Sequence, residues 1–133
     1  MSEIAYSSTR VLLTQSTDLI ALVPIDNIRI GFLKEPDVFP CITISQAGGS
    51  THGYTGYGTS TAGTKQRRED STFQVDVYSR DGVLDLEQIS DKVVLALMSG
   101  SGYRKVSDND GYEEGIKSHR KIQTWTFWSM VDD

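Results

Sequence analysis

The sequence predicts an α+β fold, in which a mostly antiparallel sheet of four to five strands carries two main helices packed on one face. In residues 71–80 the apolar side chains Phe73, Val75 and Val77 alternate with polar ones, which is the period of a half-buried strand. In residues 83–98 apolar side chains recur at helical spacing along one stripe, and acidic residues near the start suit the positive end of a helix dipole. Elements of both kinds favour a sheet with its helices on one side.

The elements before this unit are predicted from caps, breakers and alternation. A first amphipathic helix is predicted over residues 2–15, and a short helical turn over 16–22 is stopped by Pro24. Strands are predicted over 26–33 and 41–46, where apolar residues alternate with polar or small ones.

The composition changes sharply after the second strand. Residues 48–64 contain six glycines among Ser, Thr and Tyr, and almost no aliphatic side chain. Burial of such a segment gains too little to offset the entropy of ordering its backbone. We therefore expect a flexible Gly/Ser/Thr/Tyr-rich loop over 48–69, mobile in the isolated subunit, within a single domain that spans residues 1–133.

Two more strands are predicted beyond the helix of residues 83–98. Residues 102–107 predict a short strand, 108–111 a turn and 113–115 a loop. The last strand is predicted over 119–130 and carries large side chains on both faces. Such a strand either lies centrally with both faces covered, or presents its second face to a partner.

Length, charge and cysteine content disfavour several classes of protein. The chain has 133 residues and a net charge of -5, which argues against a generic nucleic-acid coat and a polybasic membrane-surface protein. Cys41 is the single cysteine, so no internal disulfide forms, and no apolar run reaches the ~20 residues that span a bilayer. The first residues lack the basic and apolar regions of a signal peptide, so we expect a cytoplasmic product.

The sequence contains no recognisable set of nucleophile, base and metal ligands. The two histidines, His52 and His119, belong to no metal-binding spacing, so no metal or cofactor is expected. Cys41 is better explained as a small strand residue than as a nucleophile. The glycines of residues 53–58 do not follow a dinucleotide fingerprint, and the carboxylates of 108–114 miss the calcium-loop spacing. We therefore expect no enzymatic activity.

A basic cluster, Lys65, Arg67 and Arg68, lies at the end of the Gly-rich segment, just before Glu69 and Asp70. Short runs of mixed charge are usually solvated surface, and this interpretation ranks first. The alternative is a docking role toward an acidic partner or DNA.

Five stretches of the chain resemble the tail terminator (tail-completion, head-to-tail joining) proteins of long-tailed bacteriophages. They are residues 27–31 (NIRIG), 39–44 (FPCITI), 73–82 (FQVDVYSRDG), 89–97 (ISDKVVLAL) and 119–127 (HRKIQTWTF). The resemblance extends from about residue 10 to 130, and it lies in the order and spacing of these stretches.

The resemblance implies a virion structural protein that forms a ring of six subunits on the head-proximal end of the tail tube. The ring would end tube polymerisation and join the tail to the capsid neck. The implied partners are further copies of this chain, the tail tube protein, the head–tail connector and the DNA in the lumen, with assembly in the host cytoplasm. A closed ring needs two different complementary patches on each subunit. The candidate patches are the sheet face with Trp125 and Phe127, and the segment with Tyr54, Tyr57, Lys65, Arg67 and Arg68.

Two other classes of function remain open from the sequence. A small ligand-binding module would contain a concave apolar pocket with convergent polar groups. A nucleic-acid binder would place exposed aromatic side chains beside a basic stripe, for which Tyr54, Tyr57 and the basic cluster are the candidates.

Overall fold

The computed structural model describes the backbone of residues 3–31, 38–59 and 65–132. It describes the burial and contacts of the side chains of residues 7–31, 38–45 and 70–128. Along the described backbone the order is α1 (Glu3–Gln15), α2 (Thr17–Ile20), a 3-10 turn (Ile25–Asn27), β1 (Ile28–Ile30), β2 (Cys41–Thr59), β3 (Lys65–Ser79), α3 (Val83–Met98), β4 (Tyr103–Glu113) and β5 (Ser118–Asp132). The strands form one sheet in the order β1-β2-β3-β5-β4, in which β1 runs parallel to β2 and all other pairs are antiparallel. The predicted α+β class is confirmed.

The core lies between the helices and one face of the sheet. Phe73, Val75 and Val77 of β3 all point into it, as their alternation predicts, and they are fully buried. The same face receives Ile44 of β2 and Trp125 of β5, because these residues lie opposite Val75 and Phe73 in the register. Leu13 of α1 and Leu86, Ile89 and Val93 of α3 belong to the same cluster. Both main helices therefore pack on one face, which we call the helix face.

Polar contacts fix α3 against β5 at the edge of this core. The Lys121 ammonium donates a hydrogen bond to the Glu87 carboxylate, and the Gln123 amide donates to the Ser90 carbonyl oxygen at 3.2 Å. Burial acts to lower the pKa of Lys121, but its bonds to Glu87 and its proximity to Asp110 outweigh that effect and raise the pKa. Lys121 is therefore a cation whose stem is buried and whose charge is compensated.

The expected loop over 48–69 differs from the structure. Residues 48–59 belong to β2 and residues 65–69 to β3, and the two strands pair with each other; residues 60–64 lie outside the described part of the chain. The backbone N–H and C=O groups pair independently of aliphatic side chains, and Thr and Tyr favour strands, so scarcity of aliphatic residues did not prevent pairing. Mobility of this segment and the single-domain organisation remain predictions.

The predicted turn over 108–111 is corrected in the same way, whereas the loop predicted over 113–115 is confirmed from residue 114 onward. β4 continues through these positions to Glu113, and the chain reverses over the following residues, where Lys117 adopts a φ of 52°. Because β4 is the outermost strand and is exposed from Arg104 to Tyr112, it needs no apolar alternation. The reversal is held by Arg80, whose guanidinium donates to the Ile116 carbonyl oxygen at 2.8 Å.

Candidate functional site

The most prominent feature outside the core is an arm, defined as residues 48–59 of β2 paired with residues 65–72 of β3. β5 borders the arm on its other side, where its pairing with β3 extends to Gln66 opposite Asp132. β1 pairs only as far as Ile44, and β4 only as far as Tyr103 opposite Phe127. At about 3.3 Å per residue, the paired length from Thr72 to Lys65 is roughly 23 Å.

The two strands of the arm differ in length over the same register. From Gly48 to Thr59 the chain advances eleven positions, whereas the facing segment from Thr72 to Lys65 advances seven, so β2 contains four extra residues. The register shifts occur between Thr51 and Tyr54 and between Tyr54 and Thr59. Bulges of this kind bend a strand and increase its twist, so β2 does not continue along the arm as a flat strand.

The arm brings together most of the residues proposed from the sequence as an interface. Tyr54 lies opposite Arg67, and Lys65 lies opposite Thr59. Toward β5, Arg68 lies opposite Met130. Tyr57 belongs to the stretch of β2 between these pairs. Two tyrosines and three cations separated by up to fourteen residues in sequence therefore occupy one strand pair.

The structure corrects the expectation for Trp125. This side chain is fully buried against the helix face, and its indole N–H donates to the Gln123 amide oxygen at 3.0 Å. It therefore has no exposed surface to offer a neighbouring subunit. Phe127 is on the same face and only partly buried, with its ring 4.8 Å from that of Tyr103.

The exposed aromatic side chain of β5 is instead Trp128, which points to the opposite face of the sheet and is 47% exposed. Together with Asp70, Arg104 and Thr126 it lines a pocket of about 160 Å³. Sequence reasoning identified large side chains on both faces of β5, but it chose the face of Trp125 and Phe127. The register of β5 on β3, which places Trp125 opposite Phe73, decides the matter and is not visible in β5 alone.

The face opposite the helices carries a charged network across three strands. The Arg120 guanidinium donates to Asp76 and to Glu113, each at 2.7 Å. Gln74 donates to the same Asp76 carboxylate at 2.9 Å, and the Tyr78 ring lies 5.5 Å from the guanidinium. Burial acts to lower the pKa of Arg120, but the hydrogen bonds to the two carboxylates outweigh it and raise the pKa. The network ties β3, β5 and β4 together.

A groove of about 630 Å³ lies on the helix side, between α1 and the start of β4. Val11, Leu12 and Phe127 supply its apolar surface, and serines 7, 8 and 101 supply hydroxyl groups. Tyr103 contributes its ring, and its hydroxyl group is hydrogen-bonded to that of Thr9 at 3.2 Å. Burial raises the pKa of Tyr103 more than this bond lowers it. The lining residues include no charged group, so the groove suits an apolar surface.

The described residues contain neither a candidate metal-binding cluster nor a candidate transmembrane helix. Among residues 3–31, 38–59 and 65–132, no group of three or more His, Cys, Asp or Glu side chains lies close enough to hold a metal ion. Within the same part of the chain, no helix is long and apolar enough to cross a membrane.

Comparison with known proteins finds a solved structure of similar fold. No protein-family model matches the sequence, and no curated protein is similar to it. Among solved structures, a chain of the virion of a native gene transfer agent particle aligns with a TM-score of 0.61 and 12% identity. The alignment covers 94% of this chain and 92% of that chain. At this identity the similarity shows a shared fold, over almost the full length of both chains.

Proposed function

We propose that this chain is a phage virion structural protein that caps the head-proximal end of the tail tube as a ring of six subunits. The ring ends tube polymerisation and joins the tail to the capsid neck. The observation that carries the proposal is the shared fold with a chain of a gene transfer agent virion, over 94% of this chain and 92% of the other. The resemblance of the five sequence stretches to tail terminator proteins supports the more specific role.

The surface of the subunit suits a repeated head-to-tail contact. A ring requires two different patches, one for each neighbour. The sheet supplies two unlike edges, the arm of β2 at one side and the charged, exposed β4 at the other. The apolar groove at Val11 and Leu12 adds a third surface that is suited to packing against protein.

The proposed role is binding without catalysis. In the part of the chain that the structure describes, ion pairs such as Arg120 with Asp76 and Lys121 with Glu87 join neighbouring elements. These pairs tie strands and helix together, so their charges serve the structure of the sheet and its packing against α3. Function in this proposal comes from surfaces, with the tail tube protein and the head–tail connector as partners.

The test is removal of the gene from the phage that carries it, followed by electron microscopy of the lysate. We expect filled capsids without tails, together with free tails whose tubes exceed the normal length. Supplying the protein from a plasmid should restore joined virions of normal tail length. Normal virions in the absence of the protein would contradict the proposal.

The basic cluster gives a narrower prediction within this role. We propose that Lys65, Arg67 and Arg68 contact an acidic neighbour or the DNA in the lumen, and such contacts weaken as salt rises. Joining of heads to tails in vitro by the Arg67→Glu, Arg68→Glu double variant should fall several-fold and lose salt dependence. A Glu69→Gln, Asp70→Asn variant changes charge at neighbouring positions without adding repulsion and serves as the control. Joining by the double variant that matches the parent at every salt concentration would identify the cluster as solvated surface.

A second candidate function, small-molecule binding, is favoured by the volume of the groove at Val11 and Leu12. Its volume of about 630 Å³ falls within the range of drug-sized ligand pockets. Its lining has hydroxyl groups but no charged group to orient a ligand, which is why we rank assembly first. A thermal-shift screen of apolar compounds, repeated with Val11→Lys, separates the two functions, because the ligand module requires a hit that the variant abolishes.

A further inference from the structure

The arm leaves one strand edge without a partner among the described residues. β3 borders β2 on one side along its whole length, whereas β1 borders the other side only from Ile42 to Ile44. Beyond Ile44, β2 continues for fifteen more residues to Thr59. The N–H and C=O groups on this side of the arm therefore face away from the sheet and are available to another strand.

The composition of this edge does not protect it from pairing. Residues 48–59 contain no Lys, Arg, Asp, Glu or Pro, which are the residues that natural proteins place on exposed edges. Five glycines in the same stretch leave little side-chain bulk, so another backbone can approach closely. The bulges between Thr51 and Thr59 twist part of this edge, but an edge of this length without charge or proline is expected to be covered in the assembled state.

The opposite edge of the same sheet, β4, has complementary properties. β4 contains eleven residues, close to the twelve of the arm's β2 segment, and it is exposed from Arg104 to Tyr112. It carries Arg104, Lys105, Asp108, Asp110 and Glu113. In a centred antiparallel pair of two β4 strands, Asp108 would lie opposite Asp108, and like charges directly opposite each other destabilise a sheet. The arm edge contains no Lys, Arg, Asp or Glu, so its pairing with β4 would not place like charges opposite each other.

We propose that the β2 edge of the arm pairs with the β4 edge of a second copy of this chain, so that the sheet continues from one subunit into the next. The inference rests on the proposed function and names the contact that builds its ring. Pairing of one edge with the other is heterologous, so it repeats from subunit to subunit, whereas β4 with β4 would stop at a dimer. Main-chain hydrogen bonds between β2 of one subunit and β4 of the next would hold the contact, as when an extended segment adds to the exposed edge of a sheet.

Chemical cross-linking tests the contact directly. The variant with Thr55→Cys in the arm and Asn109→Cys in the middle of β4 is treated with a flexible bis-maleimide, in the presence of tail tubes. We expect a ladder of covalent multimers that ends at the ring, at least ten times more abundant than in the control. The control variant pairs Thr55→Cys with Leu84→Cys, because Leu84 lies in the first turn of α3 and is 84% exposed. Random collisions would therefore favour the control, and the native Cys41 is buried.

The outcomes separate this inference from the proposed function. Two outcomes would overturn the edge pairing and leave the capping role standing. The first is equally abundant multimers from the two variants. The second is rings seen by electron microscopy when the variant with Thr55→Cys and Asn109→Cys gives no covalent multimers. A chain that stays monomeric beside tail tubes overturns the ring and the edge pairing together. The parent protein treated in the same way should give no multimers, and multimers from it would mean that Cys41 reacts.

Discussion

The charged network opposite the helices allows a quantitative test of what holds the sheet together. Replacement of Asp76 by alanine removes the carboxylate that accepts from both Arg120 and Gln74. The Asp76 side chain is 6% exposed and that of Arg120 is 24% exposed. Arg120 keeps its bond to Glu113, but it loses its most buried partner while its guanidinium stays largely out of water.

The expected cost follows from this burial. Breaking a buried pair by removing one partner typically costs about 3–5 kcal/mol. Because Arg120 is partly exposed and keeps one carboxylate, we expect a smaller cost of about 2–3 kcal/mol. The matched control is Asp108→Ala, which breaks the bond to Lys105 between side chains that are 40% and 35% exposed. An exposed pair of this kind contributes about 0–1 kcal/mol.

Urea unfolding followed by circular dichroism measures the difference. With an m value of about 2 kcal/mol/M, Asp76→Ala should lower the midpoint by roughly 1–1.5 M, and Asp108→Ala by less than 0.5 M, at an unchanged m value. The measurements need equal protein concentrations, because self-association would add to the apparent stability. Equal midpoints for the two variants would refute the reasoning that burial makes the network stabilising.

Three further expectations concern the core, a turn and the groove. Trp125→Ala should cost about 3–5 kcal/mol and Trp128→Ala clearly less in the same assay, because only the first side chain is fully buried; similar costs would contradict the assigned faces. Gly102→Ala should destabilise by about 1–3 kcal/mol, because Gly102 has a φ of +86° and an added Cβ would lie 2.7 Å from the Trp128 carbonyl oxygen. Gly111→Ala, where nothing lies within 4 Å, should have little effect on thermal stability, and an equal loss at both glycines would count against this account. Because the pKa of Tyr103 is raised in the folded state, its contribution to stability is present below about pH 10 and is lost as pH rises through the folded pKa. In a pH titration of the folded protein followed by tyrosinate absorbance, Tyr103 should ionise at higher pH than exposed tyrosines, and Tyr103→Phe should reduce this high-pH part of the curve. An unchanged curve would contradict the prediction.

The parts of the fold that depend on local patterns could be predicted from the sequence. The bounds of α3, Val83–Met98, agree with the helical spacing, and Phe73, Val75 and Val77 are buried as their alternation indicates. A helix and a half-buried strand each carry their period within their own residues. The two predictions therefore needed no knowledge of which strands pair.

The features that the sequence did not predict depend on contacts between distant residues. The arm forms because residues 48–59 pair with 65–72, and strand pairing does not require aliphatic side chains. The face of Trp125 depends on which residue of β3 it opposes. The bond between Arg120 and Asp76 joins residues 44 positions apart, so no spacing within either strand indicates it. The strand register places Tyr54 and the basic cluster on one arm, and the burial of Trp125 excludes that residue from the proposed interface.

The network and the proposed edge contact are linked by geometry. If neighbouring subunits join through β2 and β4, the rotation between them depends on the angle between the two edges of one sheet. Three strand pairings separate those edges, and each contributes its own twist. Arg120 bonds to β3 and β4 from the strand between them, so it restrains two of the three pairings. Loss of Asp76 would therefore disturb the closure of a ring more than the assembly of two subunits, because a small error in rotation accumulates around six contacts.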